Sequence, residues 1–153
     1  MIGGSTRADF RFVISAATVE RLLGAACIAS VLAALETVRG ARDGSVPLTV
    51  GDVVFALRRT EAQAEAQWIS FHYDPTGLTV QIALSGGADN VGGRTVYALP
   101  RGELLVPERA AGCILAHHGD VAHGVTQLSA GVRYGFYALV ARADAERESV
   151  NAQ

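Results

Sequence analysis

Four histidines, His72, His117, His118 and His123, are the side chains of this sequence best suited to hold a metal ion. His72 is the most informative, because it stands in Phe71-His72-Tyr73-Asp74. In a strand, alternate residues project to one face. The imidazole of His72 and the carboxylate of Asp74 would then stand side by side on rigid backbone. Such a pair makes two legs of a metal site. A third ligand from a later strand would complete two histidines and one carboxylate, a set that covers one face of an iron(II) ion and leaves its other positions open. The same spacing also suits a plain surface pair or a His–Asp hydrogen bond, so the pair alone does not decide.

A second pattern runs from Ala122-His123-Gly124-Val125 to Gly131-Val132-Arg133-Tyr134. The connection Ser129-Ala130-Gly131 suits a three-residue hairpin with Gly131 in the left-handed position. Such a loop pairs Leu128 with Val132 and Gln127 with Arg133, which puts His123 and Arg133 on one face. A two-residue loop would point them oppositely. From His123 to Gln127 is roughly 13 Å of strand. A five-carbon diacid bound to a metal at one end, met by an extended arginine at the other, can cover that separation.

These residues need a frame. Residues 10–14 read as a short strand, and Ser15 or Thr18 can cap the helix that follows. Apolar residues near helical spacing carry that helix from Thr18 to about Arg39, and Gly40 is a natural stop. Residues 42–45 read as a turn and 47–50 as extended. Valine-rich or alternating segments then predict strands over 52–59, 67–74, 78–84, 94–99, 103–106, 112–116, 121–128 and 132–141. In the second of these, Trp68, Ser70, His72 and Asp74 would share a face. Short strands at roughly 8–12-residue spacing between Gly and Pro turns suggest a sandwich or barrel. The expected class is mainly β with an N-terminal helix. The expected organisation is a single domain over 1–153, with a strand and helix at about 10–40, a β core at about 46–142 and a polar tail at 143–153. Residues 60–67 fit a loop or a helical turn equally.

Composition narrows the function. The chain has 153 residues, 50% of them apolar and 18% charged, enough for one real core. Its net charge of −2 makes a nucleic-acid partner unlikely on the usual basic-excess criterion. Every basic residue is an arginine, so a lysine Schiff base and a phosphate-loop lysine are excluded, and any anion-holding side chain is Arg or His. The glycine-rich stretch 85–94 lacks a phosphate-binding motif and reads as a flexible turn near a substrate entrance, with Asp89 and Asn90 as turn residues. Cys27 and Cys113 lie far apart and indicate no disulfide framework; Cys113 reads as core. No secretory signal stands at residues 1–9, and the apolar run 22–35 is shorter than the roughly 20 residues a spanning helix needs. A cytoplasmic protein without membrane attachment is expected.

The sequence resembles the iron(II)- and 2-oxoglutarate-dependent oxygenases, specifically their prolyl-hydroxylase-like branch, over about residues 68–142. The matching pieces, in order, are His72-Tyr73-Asp74, the strand 78–84, Asp89-Asn90-Val91-Gly92-Gly93-Arg94-Thr95, Gly112-Cys113-Ile114-Leu115-Ala116, His123-Gly124-Val125 and Gly131-Val132-Arg133-Tyr134. The resemblance implies a double-stranded β-helix, a jelly-roll or cupin-like barrel, packed on N-terminal helices. It implies iron(II) on His72, Asp74 and His123, and the distal carboxylate of 2-oxoglutarate on Arg133, a charge-assisted pair that arginine suits. With dioxygen, such a site oxidises an unactivated C–H of its substrate and releases succinate and carbon dioxide. Related halogenases replace the carboxylate with a small residue, so Asp74 favours hydroxylation, desaturation or cyclisation.

Competing readings remain beside that one. His117 and His118 are rival third ligands; being adjacent they point oppositely, and one of them could line the site. Arg94 could contact substrate or be solvated. Trp68 could wall the pocket or fill the core, while Tyr73 should face away. Cupin-type dioxygenases usually show H-x-H and a later glutamate, which this chain lacks. A non-catalytic β-barrel binding module is the alternative of a different class. So short a chain leaves little for lids, which suggests an open site, a homodimer that completes it, or a large or carrier-tethered substrate; the substrate expected is a small molecule or a carrier- or peptide-linked group.

Overall fold

A computed structural model describes residues 9–40, 46–63 and 67–142. The expected turn at 42–45, the polar tail at 143–153 and part of the undecided segment 60–67 lie outside them. The described chain runs β1 (Asp9–Ile14), α1 (Ala16–Leu23), α2 (Ala25–Arg39), β2 (Val53–Glu61), β3 (Gln67–His72), β4 (Leu78–Ala83), β5 (Asn90–Gly92), β6 (Thr95–Ala98), β7 (Leu104–Leu105), β8 (Ile114–His118) and β9 (His123–Val140). Residues Val50–Asp52 form a 3-10 turn, so the extended stretch expected up to Val50 ends in a turn.

The single expected helix is two. Ser15 caps α1 by accepting from the Thr18 N–H at 3.2 Å. Gly24, at φ 82, then closes α1 and opens α2, and the two axes turn by 119°. Only glycine adopts that backbone without strain. The apolar periodicity continues through the break, which is why the sequence reads as one helix. Neither helix is long and apolar enough to cross a membrane.

All strand pairings are antiparallel, and β9 organises them. Its C-terminal half pairs with β2 on one side and β4 on the other, in the order β1-β2-β9-β4-β8. Its N-terminal half pairs with β3 on one side and with β5 and β6 on the other. The two sheets thus share one long strand, which bends near Gly131 (φ 80). This corrects the hairpin expected at Ser129-Ala130-Gly131. The glycine does adopt the left-handed conformation, but it bends the chain from one sheet into the other instead of reversing it. The glycine-rich segment 85–94 holds the expected turn at residues 86–89, closed by the Asp89 N–H on the Gly86 carbonyl at 3.0 Å, but Asn90, expected in the turn, opens a strand, β5, which pairs across that bend.

The core lies between the helices and one face of the β1-β2-β9-β4-β8 sheet. Val19, Val31 and Leu35 of the helices pack on Val53, Phe55, Leu78, Val80, Phe136 and Ala138. Phe55 and Phe136 stack with centroids 5.7 Å apart. Burying such a ring contributes roughly 1.5–3 kcal/mol. The period of two then dictates the opposite face. Between Leu78 and Val80 stands Thr79, with Gln81 beyond; around Phe136 and Ala138 stand Tyr137 and Leu139. These alternate residues face a cavity between the two sheets, together with residues of β3, β6 and β8.

Candidate metal centre

The cavity, about 170 Å³, contains His72, Asp74, His117 and His123 among its lining residues. His72 ends β3 and His123 begins β9, and the two are partners in the ladder. Their rings lie 4.4 Å apart. Asp74 follows β3 in a turn held by its own N–H, which donates to the Gly119 carbonyl at 2.8 Å. The Nε2 atoms of His72 and His123 each stand 3.7 Å from Asp74 Oδ1. One ligand atom from each of the three residues lies within 4.8 Å of the others. The expected set is therefore one cluster.

Local hydrogen bonds prepare these groups. The Nδ1–H of His72 donates to the Ser70 carbonyl at 2.9 Å, and that of His123 to the Val121 carbonyl at 2.9 Å. A carbonyl can only accept, so each neutral ring keeps its proton on Nδ1 and its lone pair on Nε2, facing Asp74. Oriented rings of this kind characterise metal-binding histidines. The other oxygen of Asp74, Oδ2, accepts from the Thr79 hydroxyl at 2.7 Å. One carboxylate oxygen is thus occupied and the other is left toward the two imidazoles.

His117 and His118 separate as their adjacency requires. His118 is exposed, and its Nε2–H donates at 2.7 Å to the Val38 carbonyl in the last turn of α2, where helix carbonyls lack internal partners. His117 is buried in the cavity, with Nε2 3.9 Å from Asp74 Oδ2, on the side that Thr79 occupies. Burial holds its pKa below the ordinary imidazole value. Tyr97 packs against both His117 and His123. Burial pushes its phenol up to about 12, with the charges of Asp74 and Tyr137 adding to the effect.

Arg133 is 4% exposed and lines an adjoining cavity of about 90 Å³. Arg58, Ile69 and Val125 line both cavities. The Nε and Nη2 of Arg133 are buried without a hydrogen-bond partner among the described residues. Buried N–H groups without acceptors are costly; the Asp9 carboxylate lines the same cavity and feels the charge of Arg133, and the two unfilled N–H groups suit a further anion. His123 and Arg133 both reach the interior from one bent strand, though not through a hairpin.

The two expected substrate contacts are placed differently from each other. Arg94 does not line either cavity; its Nη2 donates to the Pro107 carbonyl at 2.5 Å and braces that loop. Trp68 is 61% exposed and borders the Arg133 cavity, while Ile69 lines the metal cavity with His72. Register shifts on either side of Ile69 break the alternation that would have joined Trp68 to His72. Cys113 is half-buried, not core. The sequence reading missed Arg11, Arg58 and Tyr137, all of which line the metal cavity. Nothing in their local spacing marks them; they meet the site only through β1-β2-β9 pairing.

No protein-family model matches the sequence, and no curated protein matches it. Solved structures match the fold. A Pseudomonas putida prolyl-4-hydroxylase superposes with a TM-score of 0.65 at 18% identity, over 88% of this chain and 69% of that one. A Trichoplax adhaerens prolyl hydroxylase, solved with a hypoxia-inducible-factor peptide fragment, gives 0.65 at 15%, over 95% and 67%. A 2OG-Fe(II) oxygenase family protein from Burkholderia pseudomallei gives 0.57 at 16%, over 87% and 67%. The chain thus has the double-stranded β-helix fold seen in these oxygenases, with a His–Asp–His cluster set between its sheets.

Proposed function

We propose that the protein is an iron(II)- and 2-oxoglutarate-dependent oxygenase acting on a small-molecule or carrier-linked substrate. The observation that carries this reading is the pairing of the His72–Asp74–His123 cluster with the buried Arg133 of the adjoining cavity, whose Nε and Nη2 have no hydrogen-bond partner among the described residues. Two imidazole nitrogens and one carboxylate suit iron(II) and leave open positions. A buried arginine suits a carboxylate in bidentate geometry. Iron(II), 2-oxoglutarate and dioxygen together supply the oxidation of an unactivated C–H, with succinate and carbon dioxide as co-products.

The chain's own residues do the rest. His72, Asp74 and His123 hold the metal. Thr79 keeps Asp74 turned so that Oδ1 faces it. Arg133 anchors the distal carboxylate of the cosubstrate. Ile69, Val125 and Leu139 give the cavity apolar walls that limit water.

Anaerobic titration of the metal-free protein with iron(II) and 2-oxoglutarate tests the reading. A visible charge-transfer band should appear only when both are present. Asp74→Ala should abolish the band and substrate oxidation while the circular dichroism spectrum stays folded. Arg133→Ala should weaken 2-oxoglutarate binding by roughly ten- to a hundredfold, the range expected for a charge-assisted hydrogen bond. No band from a folded wild-type protein would overturn the reading and leave a β-barrel binding module.

A further inference from the structure

The metal cavity has one cation that nothing in the described structure neutralises. Among its lining residues only Arg11 and Pro75 are exposed, so they mark its mouth. Arg11 stands on β1 directly opposite Arg58 on β2. Cross-strand partners share a face, and like charges placed so repel. Arg58 is already satisfied: its Nε and Nη2 donate to the two oxygens of Asp9 at 2.8 and 2.6 Å. Arg11 makes no hydrogen bond or ion pair to any described residue.

Charge counting extends the point. A divalent metal and a dianionic cosubstrate are balanced by Asp74 and Arg133. Asp9 balances Arg58. Arg11 is left over, at the mouth, in a cavity whose other lining residues, apart from these groups and the histidines, are uncharged.

Resting on the oxygenase reading above, we infer that Arg11 receives an anionic group, a carboxylate or a phosphate ester, on the substrate. The substrate's charged end is held at the mouth. Its reacting carbon extends inward toward His72, Asp74 and His123. The class implied is a small organic acid, or a carrier-linked acid bearing such a group near the oxidised carbon.

The test uses the full chain loaded with manganese(II), which relaxes nearby nuclei without turnover, and with saturating 2-oxoglutarate to occupy Arg133. Phenylacetate, benzyl phosphate and neutral phenylacetamide serve as ligands, read by metal-induced nuclear relaxation and by protein chemical shifts. Both anions, or one of them, should bind near the metal more tightly than the amide. Arg11→Gln should weaken that binding roughly tenfold, and Arg11→Lys should restore part of it. The amide should not respond to either change. The anion that loses more on substitution identifies carboxylate or phosphate as the preferred group. Metal binding with no difference between anions and amide, or no effect of Arg11→Gln, would overturn the inference alone. Arg11-dependent anion shifts in a protein that fails to bind metal would overturn the oxygenase reading and leave an anion site. Loss of both would overturn both.

Discussion

Thr79 sets how Asp74 presents itself. Its hydroxyl occupies Oδ2 at 2.7 Å and leaves Oδ1 toward His72 and His123. Partners of this kind typically contribute ten- to a hundredfold in metal affinity. Thr79→Val keeps the shape and removes the donor, so it should weaken metal binding by roughly that factor, measured by competition with a chromophoric chelator. Tyr97 offers a pH test. Its buried hydroxyl has no hydrogen-bond partner among the described residues, and burial raises its pKa from 10.0 to about 12. The unfolded chain therefore ionises first. This contribution to stability is complete below pH 10 and is lost as pH rises through about 12. Urea midpoints of the metal-free protein should fall over that window more steeply in the wild type than in Tyr97→Phe. At neutral pH the variant should lose little, because no hydrogen bond is removed.

At the scale of elements, the site depends on close approaches between turns. The turn at Asp74–Gly77 meets the turn after β8 at Gly119, with reciprocal hydrogen bonds: Asp74 N–H to the Gly119 carbonyl, and Gly119 N–H to the Gly77 carbonyl. A Cβ at Gly119 would collide with the Thr76 carbonyl oxygen. Gly119→Ala should destabilise the protein by about 1–3 kcal/mol, as overpacking does, and should weaken metal binding with it. Gly87→Ala, where a Cβ meets nothing within 4 Å, is the matched control and should do neither. Thermal unfolding and metal titration of the two variants check this. The same scale explains two departures from the sequence pattern. One glycine breaks the helix at Gly24, and another bends β9 at Gly131. Local spacing shows that a glycine is present. It does not show whether the chain reverses, breaks or merely bends there, because the partner strands decide that.

At the scale of the whole molecule, the metal ligands join the two ends of the architecture. His72 and Asp74 come from β3 and its following turn, and His123 opens the strand that ties both sheets together. A metal bound there binds only the folded chain. At a hundred times its dissociation constant it should stabilise by about 2.7 kcal/mol, or raise Tm by roughly 5–10 °C. Calorimetry with and without metal should show that rise in the wild type and none in Asp74→Ala.

The sequence by itself determined what is local or periodic. The alternation of β4 marked it as a strand with Leu78 and Val80 on one face. The H-x-D spacing put two ligands together, and the Gly40 stop followed from residue type. His123 and Arg133 were legible as partners of those ligands through the family resemblance. Only the tertiary structure decided what depends on pairing between distant segments. The bulged β3 sends Trp68 outward and Ile69 inward. The packing of β8 on β4 chooses His117 over His118 for the cavity. The register of β1 on β2 brings Arg11 and Arg58 to the metal cavity from far along the chain. A one-residue shift in any of these ladders would reverse which side chains face inward, and no short stretch of sequence records which register its partner imposes.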